Sequence, residues 1–351
     1  MLRRRSGQII DSGRRRYLAA VAALLVLSPL SSAAAEEPAF GNNAEVDAFI
    51  AELVEQHGFE REFLERLFRQ AQIQRGVLQA MARPATARPW HEFRAAAVTP
   101  ARVRDGTEYW RRHARALARA GAEYGVSEEI IVATIGIETS FGRTLGRHRV
   151  FDALATLAFA YPPRAALFRG ELAELLLLAR ESGHDPLQYR GSFAGALGVP
   201  QFLPSSYRRH AVDFDADGRR DLWNHADAIG SVGNYYRAHG WLSGEPVLVA
   251  LERMNEPPGD AFRQMMERGI LPHSSVAAFR RTGISLAGEA DDEALACAFS
   301  AETDAGTAYW LGFTNFYVIT RYNRSVNYAL AVHELALALR RVRDARGEPV
   351  R

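Results

Sequence analysis

The chain has 351 residues, 48% of them hydrophobic and 24% charged, which is typical of globular proteins and not of disordered or fibrous ones. Its net charge of +2 depends on residues 1–35, which hold six of the 43 basic residues and one of the 41 acids, so the remainder has a net charge of −3. That remainder contains no arginine-rich run, which removes the main electrostatic argument for a nucleic-acid partner.

Residues 1–35 have the three parts of a secretory signal peptide. Arg14–Arg16 close a positive segment, an apolar run extends from Leu18 to Leu27, and Ala33–Ala35 offer a cleavage site. The apolar run is too short to cross a bilayer, which takes about 20 residues. We therefore predict that the mature chain begins at Glu36, is exported, and has no transmembrane segment.

The rest of the chain is predicted to be α+β and mostly α. Apolar residues recur at helical spacing in four stretches, residues 44–81, 103–178, 226–239 and 328–341. β-branched and aromatic residues, which favour strands, are concentrated in residues 246–251, 284–286 and 309–320. These patterns predict a helical body with a small β-rich insertion near the C-terminus.

The segment from Ser127 to Gly142 carries a carboxylate on an apolar helix face. Ser127 is predicted to cap the start of the helix and Gly142 to end it. Glu138 continues the i, i+3, i+4, i+7 pattern that starts at Ile131, so it lies on the apolar face in the last turn. Burial and the helix dipole both raise a carboxyl pKa there, as a general acid requires. The structural alternative is an ion pair with an arginine such as Arg143.

A second motif, residues 213–219, matches the first seven positions of an EF-hand calcium loop. Asn224 occupies position 12, where a bidentate Glu is expected, and an acid three residues later could close a longer loop, 213–227. The predicted calcium ligands are Asp213, Asp215, Asp217, the backbone carbonyl of Arg219, and Asp227. The alternative is an acidic surface turn. The single cysteine, Cys297, and the absence of zinc, P-loop and dinucleotide motifs predict no other metal and no organic cofactor.

Five blocks of the sequence occur in the order seen in family 3 lytic transglycosylases. They are Glu138–Gly142, Gly191–Tyr207, the calcium loop, Ile229–Tyr236 and Asn315–Asn323. From about residue 43 to residue 341 the chain resembles this family. The resemblance implies a lysozyme-like helical core with an N-terminal helical domain and a small antiparallel β-rich insertion.

The domain boundaries that follow are predictions. They are a signal peptide over 1–35, an N-terminal helical domain over 36–110, a catalytic core over 111–242, a β-rich domain over 243–314 and a C-terminal segment over 315–351.

The resemblance also implies a reaction, which is cleavage of the β-1,4 bond between N-acetylmuramic acid and N-acetylglucosamine in peptidoglycan. Glu138 would act as acid and then as base, and the product would carry a 1,6-anhydro end. Substrate contacts are implied at Ser192, Gln201, Tyr235, Asn323 and Tyr328. With the signal peptide, the resemblance predicts a periplasmic protein whose partner is peptidoglycan glycan strands. We also predict a monomer, and a calcium ion that is structural because the loop occurs once in an exported protein.

Two other functions are compatible with the sequence. A hydrolytic muramidase would cut the same bond, but it needs a positioned water and usually a second carboxylate. A catalytically silent scaffold would bind peptidoglycan without cleaving it. The test that separates these functions is the chemistry of the product.

Overall fold

The computed structural model describes residues 40, 43–82, 88–252 and 258–347. The predicted signal peptide, residues 1–35, lies outside the described residues. Within the described residues, no helix combines the length and the apolar character that a membrane crossing requires.

Helices form most of the described chain. In order they are α1 Ala44–His57, α2 Arg61–Gln70, α3 Arg75–Met81, α4 Trp90–Ala97, α5 Pro100–Arg112, α6 Ala114–Tyr124, α7 Glu128–Thr139, α8 Val150–Ala160, α9 Ala165–Ser182, α10 Pro204–His210, α11 His225–Ala238, α12 Asp260–Met266, α13 Val276–Arg280, α14 Thr314–Tyr322 and α15 Val326–Ala345. This confirms the mostly helical body that the apolar spacing predicts.

Helix α7 is the central helix of this body. It packs against α5, α6, α11 and α15, and ten of its twelve residues are buried. The cause is its composition, because seven of the eight residues from Ile130 to Ile137 are apolar and this part of the helix has no polar face for solvent. Glu138 therefore projects from a helix that is enclosed by its neighbours on most sides.

The strands form two antiparallel sheets. A two-stranded sheet pairs β1 (His148–Arg149) with β2 (Arg190–Gly191). The four-stranded sheet has the order β3-β6-β5-β4, made from β3 Leu248–Ala250, β4 Ser274–Ser275, β5 Leu295–Thr303 and β6 Gly306–Gly312.

The four-stranded sheet has an apolar core on each face. Along β5, Cys297 and Phe299 pack into the main helical core, whereas Ala296 and Ala298 pack into a second, smaller core around Phe262. This alternation follows from the two-residue period of a strand. The β-rich part is thus antiparallel, as predicted, and the structure adds that one of its faces packs on the helical body.

Three local predictions were wrong. Residues 309–320 are not one strand, because β6 ends at Gly312 and α14 begins at Thr314. The β-branched residues of α14 lie in the main core, where burial overrides their preference for strands. Residues 284–286 contribute one isolated bridge, between Leu286 and Leu251, and not a strand. Helix α7 ends at Thr139, three residues before Gly142.

Candidate active site

Glu138 lies in the last turn of α7, with its side chain half-buried. The Tyr328 hydroxyl, from the first turn of α15, donates a hydrogen bond to Glu138 Oε1 at 2.6 Å. Burial raises the pKa of Glu138 to about 7, although the Tyr328 hydrogen bond favours the carboxylate and lowers it. A carboxyl with this pKa gains and loses a proton near neutral pH, as acid–base catalysis requires.

The alternative of an ion pair between Glu138 and Arg143 is wrong. Arg143 pairs instead with Asp105 on α5, with 2.5 Å between Nη2 and Oδ2. Among the described residues, no neighbouring charge contributes to the pKa shift of Glu138. Burial is therefore not offset by a cation, which is why the pKa remains high.

Four tyrosines, Tyr235, Tyr236, Tyr322 and Tyr328, surround Glu138 and form a cluster that we call the tyrosine cluster. Burial, with a smaller contribution from the Glu138 charge, raises the pKa of each. The Tyr322 ring lies parallel to the Tyr328 ring and edge-on to Tyr235, with centroid distances of 6.3 and 4.8 Å. All four hydroxyls stay protonated at neutral pH, so Tyr328 is a permanent hydrogen-bond donor to the carboxyl.

Tyr235 was predicted to stack on a sugar, and the structure packs it against other side chains. It is 7% exposed, and its ring stacks on His239 with centroids 4.0 Å apart. Its hydroxyl donates to the Arg321 carbonyl at 2.7 Å. Tyr235 therefore packs within the tyrosine cluster, between His239 and Tyr322.

Ser192 and Gln201 are half-buried polar residues in the loops that follow β2. Ser192 Oγ accepts from the backbone N–H of Ala194 and of Ala196, which leaves the hydroxyl proton available. Gln201 Nε2 donates to the Gly198 carbonyl at 2.8 Å and to that of Leu145 at 3.3 Å. Its side-chain carbonyl oxygen is then the group left to meet a ligand.

Asn323 is exposed and directly follows α14 as its C-cap residue. Its carbonyl accepts from the Ser325 N–H at 2.7 Å, and Ser325 Oγ in turn caps α15 by accepting from the Tyr328 N–H. The short link between the two helices thus fixes where Tyr328 enters α15. Asn323 is therefore close in sequence and in structure to the residue that binds Glu138.

Just past the end of α7, two and three residues after Glu138, the backbone takes an unfavourable conformation. Ser140 and Phe141 have φ values of 49° and 64°, a region that residues other than glycine seldom adopt. The Phe141 ring packs over Gly136, where an added Cβ would lie 2.7 Å from ring atoms. Glycine is thus required at position 136, and packing of the ring helps to hold the strained turn.

The acidic loop brings three of its predicted ligands together. One carboxylate oxygen each of Asp213, Asp215 and Asp227 lie within 4.8 Å of one another. Calcium binds oxygen at 2.3–2.6 Å, so ligands around one ion lie up to about 5 Å apart, and the spacing fits. Asp217 is not a member of this group, and its Oδ1 accepts from the Arg219 N–H at 2.8 Å.

Asp227 holds the shape of the loop as well. It is fully buried, and its two oxygens accept from the backbone N–H groups of Phe214, Asp215 and Asp221. Burial raises its pKa. Asn224, at loop position 12, caps α11 and donates to Asp215 Oδ2 at 2.6 Å.

Residues 41–337 match the family described as transglycosylase SLT domain. The chain belongs to this family. The membrane-bound lytic murein transglycosylase B of Escherichia coli (strain K12) is 42% identical to it over 315 residues, which cover 86% of this chain and 85% of that protein.

Two solved structures support the same assignment to the SLT-domain family. The structure of the catenated lytic transglycosylase SltB1 from Pseudomonas aeruginosa is 46% identical, with a TM-score of 0.80, and the match covers 87% of this chain and 99% of that chain. The structure of the Escherichia coli lytic transglycosylase Slt35 in complex with calcium is 40% identical, with a TM-score of 0.78, and covers 87% and 96%.

Sequence reasoning missed two members of the tyrosine cluster in this SLT-domain protein, Tyr236 and Tyr322. Both lie inside blocks that carry the family resemblance, 229–236 and 315–323. Their position within these two blocks is the sequence signal that could have identified both tyrosines as site residues. Their position near the Glu138 charge depends on how α11, α14 and α7 pack, which local spacing does not encode.

Proposed function

We propose that this protein is a lytic transglycosylase that cleaves the β-1,4 bond between N-acetylmuramic acid and N-acetylglucosamine in peptidoglycan. The observation that carries the proposal is the environment of Glu138, a half-buried carboxyl with a pKa raised to about 7 and no neighbouring charge among the described residues. Membership of the SLT-domain family supports the substrate class.

In the first step Glu138 acts as the acid. Tyr328 binds Oε1, so we assign the transferable proton to Oε2. That proton passes to the glycosidic oxygen as the bond from this oxygen to C1 of the muramic acid breaks. The leaving sugar departs as an alcohol, and positive charge develops at C1.

In the second step the same carboxylate acts as the base. It takes the proton from the C6 hydroxyl of the muramic acid while O6 forms a bond to C1, which gives the 1,6-anhydro end. The Tyr328 hydrogen bond stabilises the carboxylate between the two steps. One residue suffices because the proton that it donates is replaced from the substrate.

The lack of a second charge near Glu138 favours the transglycosylase over the muramidase. A neighbouring carboxylate that activates water would raise the pKa of Glu138 by repulsion. Within the described residues, burial alone raises that pKa. The catalytic chemistry is therefore assigned to one carboxylate.

Mass spectrometry of products from purified peptidoglycan tests this function. The expected muropeptides are lighter by about 18 Da, one water, than those that lysozyme releases from the same substrate. Hydrated reducing ends would assign the protein to the muramidases. Absence of any cleavage, with calcium present, would favour the scaffold.

Replacing Tyr328 by Phe is expected to change the pH dependence of cleavage. The substitution removes a hydrogen bond that lowers the pKa of Glu138, so this pKa rises above about 7. The protonated acid then persists to higher pH, and the alkaline limb of kcat/KM moves up by about one unit. The control is Tyr236→Phe, because the Tyr236 hydroxyl bonds Thr134 Oγ1 and not Glu138. An unchanged limb in Tyr328→Phe would contradict the assignment.

We assign substrate contacts to four further residues. The Ser192 hydroxyl proton and the Gln201 side-chain carbonyl are available for sugar hydroxyl or acetamido groups. Asn323 offers an exposed amide beside the Tyr328 helix, and Tyr235 has 7% of its surface open to contact. With Tyr328, these residues would hold the muramic acid against Glu138.

We assign a structural calcium ion to the acidic loop. Asp213, Asp215 and Asp227 would supply carboxylate ligands, and Asp217 and the Arg219 carbonyl would complete the set. The ion would neutralise carboxylates that otherwise repel one another. Calcium in the structure of the relative Slt35 is consistent with this assignment.

Peptidoglycan lies outside the cytoplasmic membrane, so the proposed substrate requires export. We infer a periplasmic enzyme, released by cleavage after Ala35 and acting as a monomer on glycan strands. N-terminal sequencing of the protein from the periplasmic fraction would test the cleavage site. A mature start other than Glu36 would contradict it.

A further inference from the structure

Thr139, the residue after Glu138, is fully buried and its hydroxyl joins separate parts of the chain. Its Oγ1 donates to the Val199 carbonyl at 2.8 Å and accepts from the Gly142 N–H at 3.0 Å. The carbonyl of Ile135, one turn back in α7, lies farther away at 3.3 Å. A hydroxyl carries one proton, so the bond to Val199 is its best donor interaction.

Val199 belongs to the turn that presents Gln201. In this turn Gln201 has a φ of 52°, and its N–H and side-chain amide both donate to the Gly198 carbonyl. On its other side, the Val199 N–H donates to the Leu222 carbonyl at 2.8 Å. The turn is thus held between the end of α7 and the second half of the acidic loop.

We propose that Thr139 is a positioning residue. Its hydroxyl fixes the end of α7, which carries Glu138, against the turn that carries Gln201. The inference rests on the proposed function, because it gives these two side chains one substrate. It adds a residue that touches neither the substrate nor the Glu138 carboxyl.

The strained backbone explains why such a connection is needed. Ser140 and Phe141, which follow Thr139, both have positive φ, and a strained turn persists only where its surroundings fix it. The Thr139 hydrogen bond from the Gly142 N–H closes this turn, and the one to the Val199 carbonyl connects it to the Gln201 turn. Without them, the end of α7 and the Gln201 turn would lose their direct polar link.

The test replaces Thr139 by Val, which keeps the branched shape and removes the hydroxyl. Misplacement of a catalytic group by about 1 Å costs on the order of a hundredfold in rate. We expect kcat in Thr139→Val to fall by about ten- to a hundredfold, whereas Thr139→Ser, which restores the hydroxyl, stays within about threefold of the wild type. Rates are measured well below the unfolding midpoint of each variant.

The matched control is Thr156→Val. Thr156 is also fully buried, and its Oγ1 accepts from the Gln74 N–H at 2.9 Å, between α8 and the start of α3. This variant should lower the melting temperature and leave kcat unchanged. A Thr139→Val enzyme with a lower melting temperature but normal kcat would overturn the proposal, because the hydroxyl would then serve stability alone.

Two further results keep the inference separate from the proposed function. If Thr139→Val does not fold, Thr139→Ala, with room for a water, is measured instead and should show the same loss relative to Thr139→Ser. Wild-type protein that yields no anhydro product would refute the proposed function. Normal anhydro product from a Thr139→Val enzyme at the wild-type rate would refute only the role of Thr139.

Discussion

Replacing Glu138 by Gln is expected to lower kcat for peptidoglycan cleavage by about 10³-fold or more. The amide can accept the Tyr328 hydrogen bond, so the site keeps its shape, but it has no proton to give to the glycosidic oxygen. General acid and base contributions are each on the order of 10²–10⁴-fold, and this variant removes both. The measurement is the rate of release of soluble muropeptides.

The same substitution should make the folded protein more stable at neutral and alkaline pH. The pKa of Glu138 is about 7 in the folded state, against 4.5 for an unperturbed glutamate side chain, so the folded state binds this proton more tightly than the unfolded state does. Stability is therefore lost as the pH rises from about 4.5 to about 7. Above this range Glu138→Gln should gain about 3 kcal/mol in free energy of unfolding, and below about pH 4.5 the gain should vanish.

The control is Glu171→Gln, another buried glutamate with a pKa raised by burial. Its carboxyl accepts from the N–H and the hydroxyl of Ser205 on α10, so it has a structural role. This variant should retain wild-type kcat. A Glu138→Gln enzyme that still cleaves at a wild-type rate, or that is less stable than the wild type at pH 8, would contradict the role and environment assigned to Glu138.

Calcium that binds at the acidic loop is expected to raise the free energy of unfolding of the protein. At a calcium concentration of 100 times Kd, binding to the folded state alone adds about 2.7 kcal/mol to the free energy of unfolding. In a chain of this length a change of 1 kcal/mol shifts Tm by roughly 1–2 °C, so we expect a rise in Tm of about 3–5 °C. Thermal unfolding with calcium and with excess EDTA measures the difference.

Asp215→Asn separates binding of the ion from folding of the loop. Asp215 is exposed, so its loss removes a ligand without opening the core. The response to calcium should largely disappear, while Tm in EDTA changes little. Asp291→Asn, which neutralises an exposed aspartate that accepts from a turn N–H, should keep the full response. Equal melting curves with and without calcium in the wild type would contradict the site.

The burial of the Glu138 carboxyl could be predicted from the sequence because it follows from the apolar spacing within a single helix. Apolar spacing placed Glu138 on a buried face, and burial is what raises its pKa in the structure. Its hydrogen-bond partner, Tyr328, lies 190 residues away along the chain and entered only through the family resemblance. No spacing rule links two residues so far apart, since their contact depends on the packing of α7 against α15.

The errors have a related cause. Residues 314–320 were predicted to be extended because Val318, Ile319 and Thr320 favour strands, but all three lie buried in α14. Thr139 is a small polar residue in the sequence, with no sign that its hydroxyl reaches Val199 sixty residues away. Burial in the tertiary structure explains why residues 314–320 are helical, and a tertiary hydrogen bond explains why the role of Thr139 could not be seen in the sequence.

Because the side chains of β5 alternate between two cores, the thiol of Cys297 can report on separation of the sheet from the helical body. Cys297 is the single cysteine, it is fully buried against the helical body, and its pKa is raised to about 12. A thiol reagent therefore reacts only after the sheet separates from the helices and the thiolate forms in water. The labelling rate then reports the free energy of that separation at one site, without any engineered label.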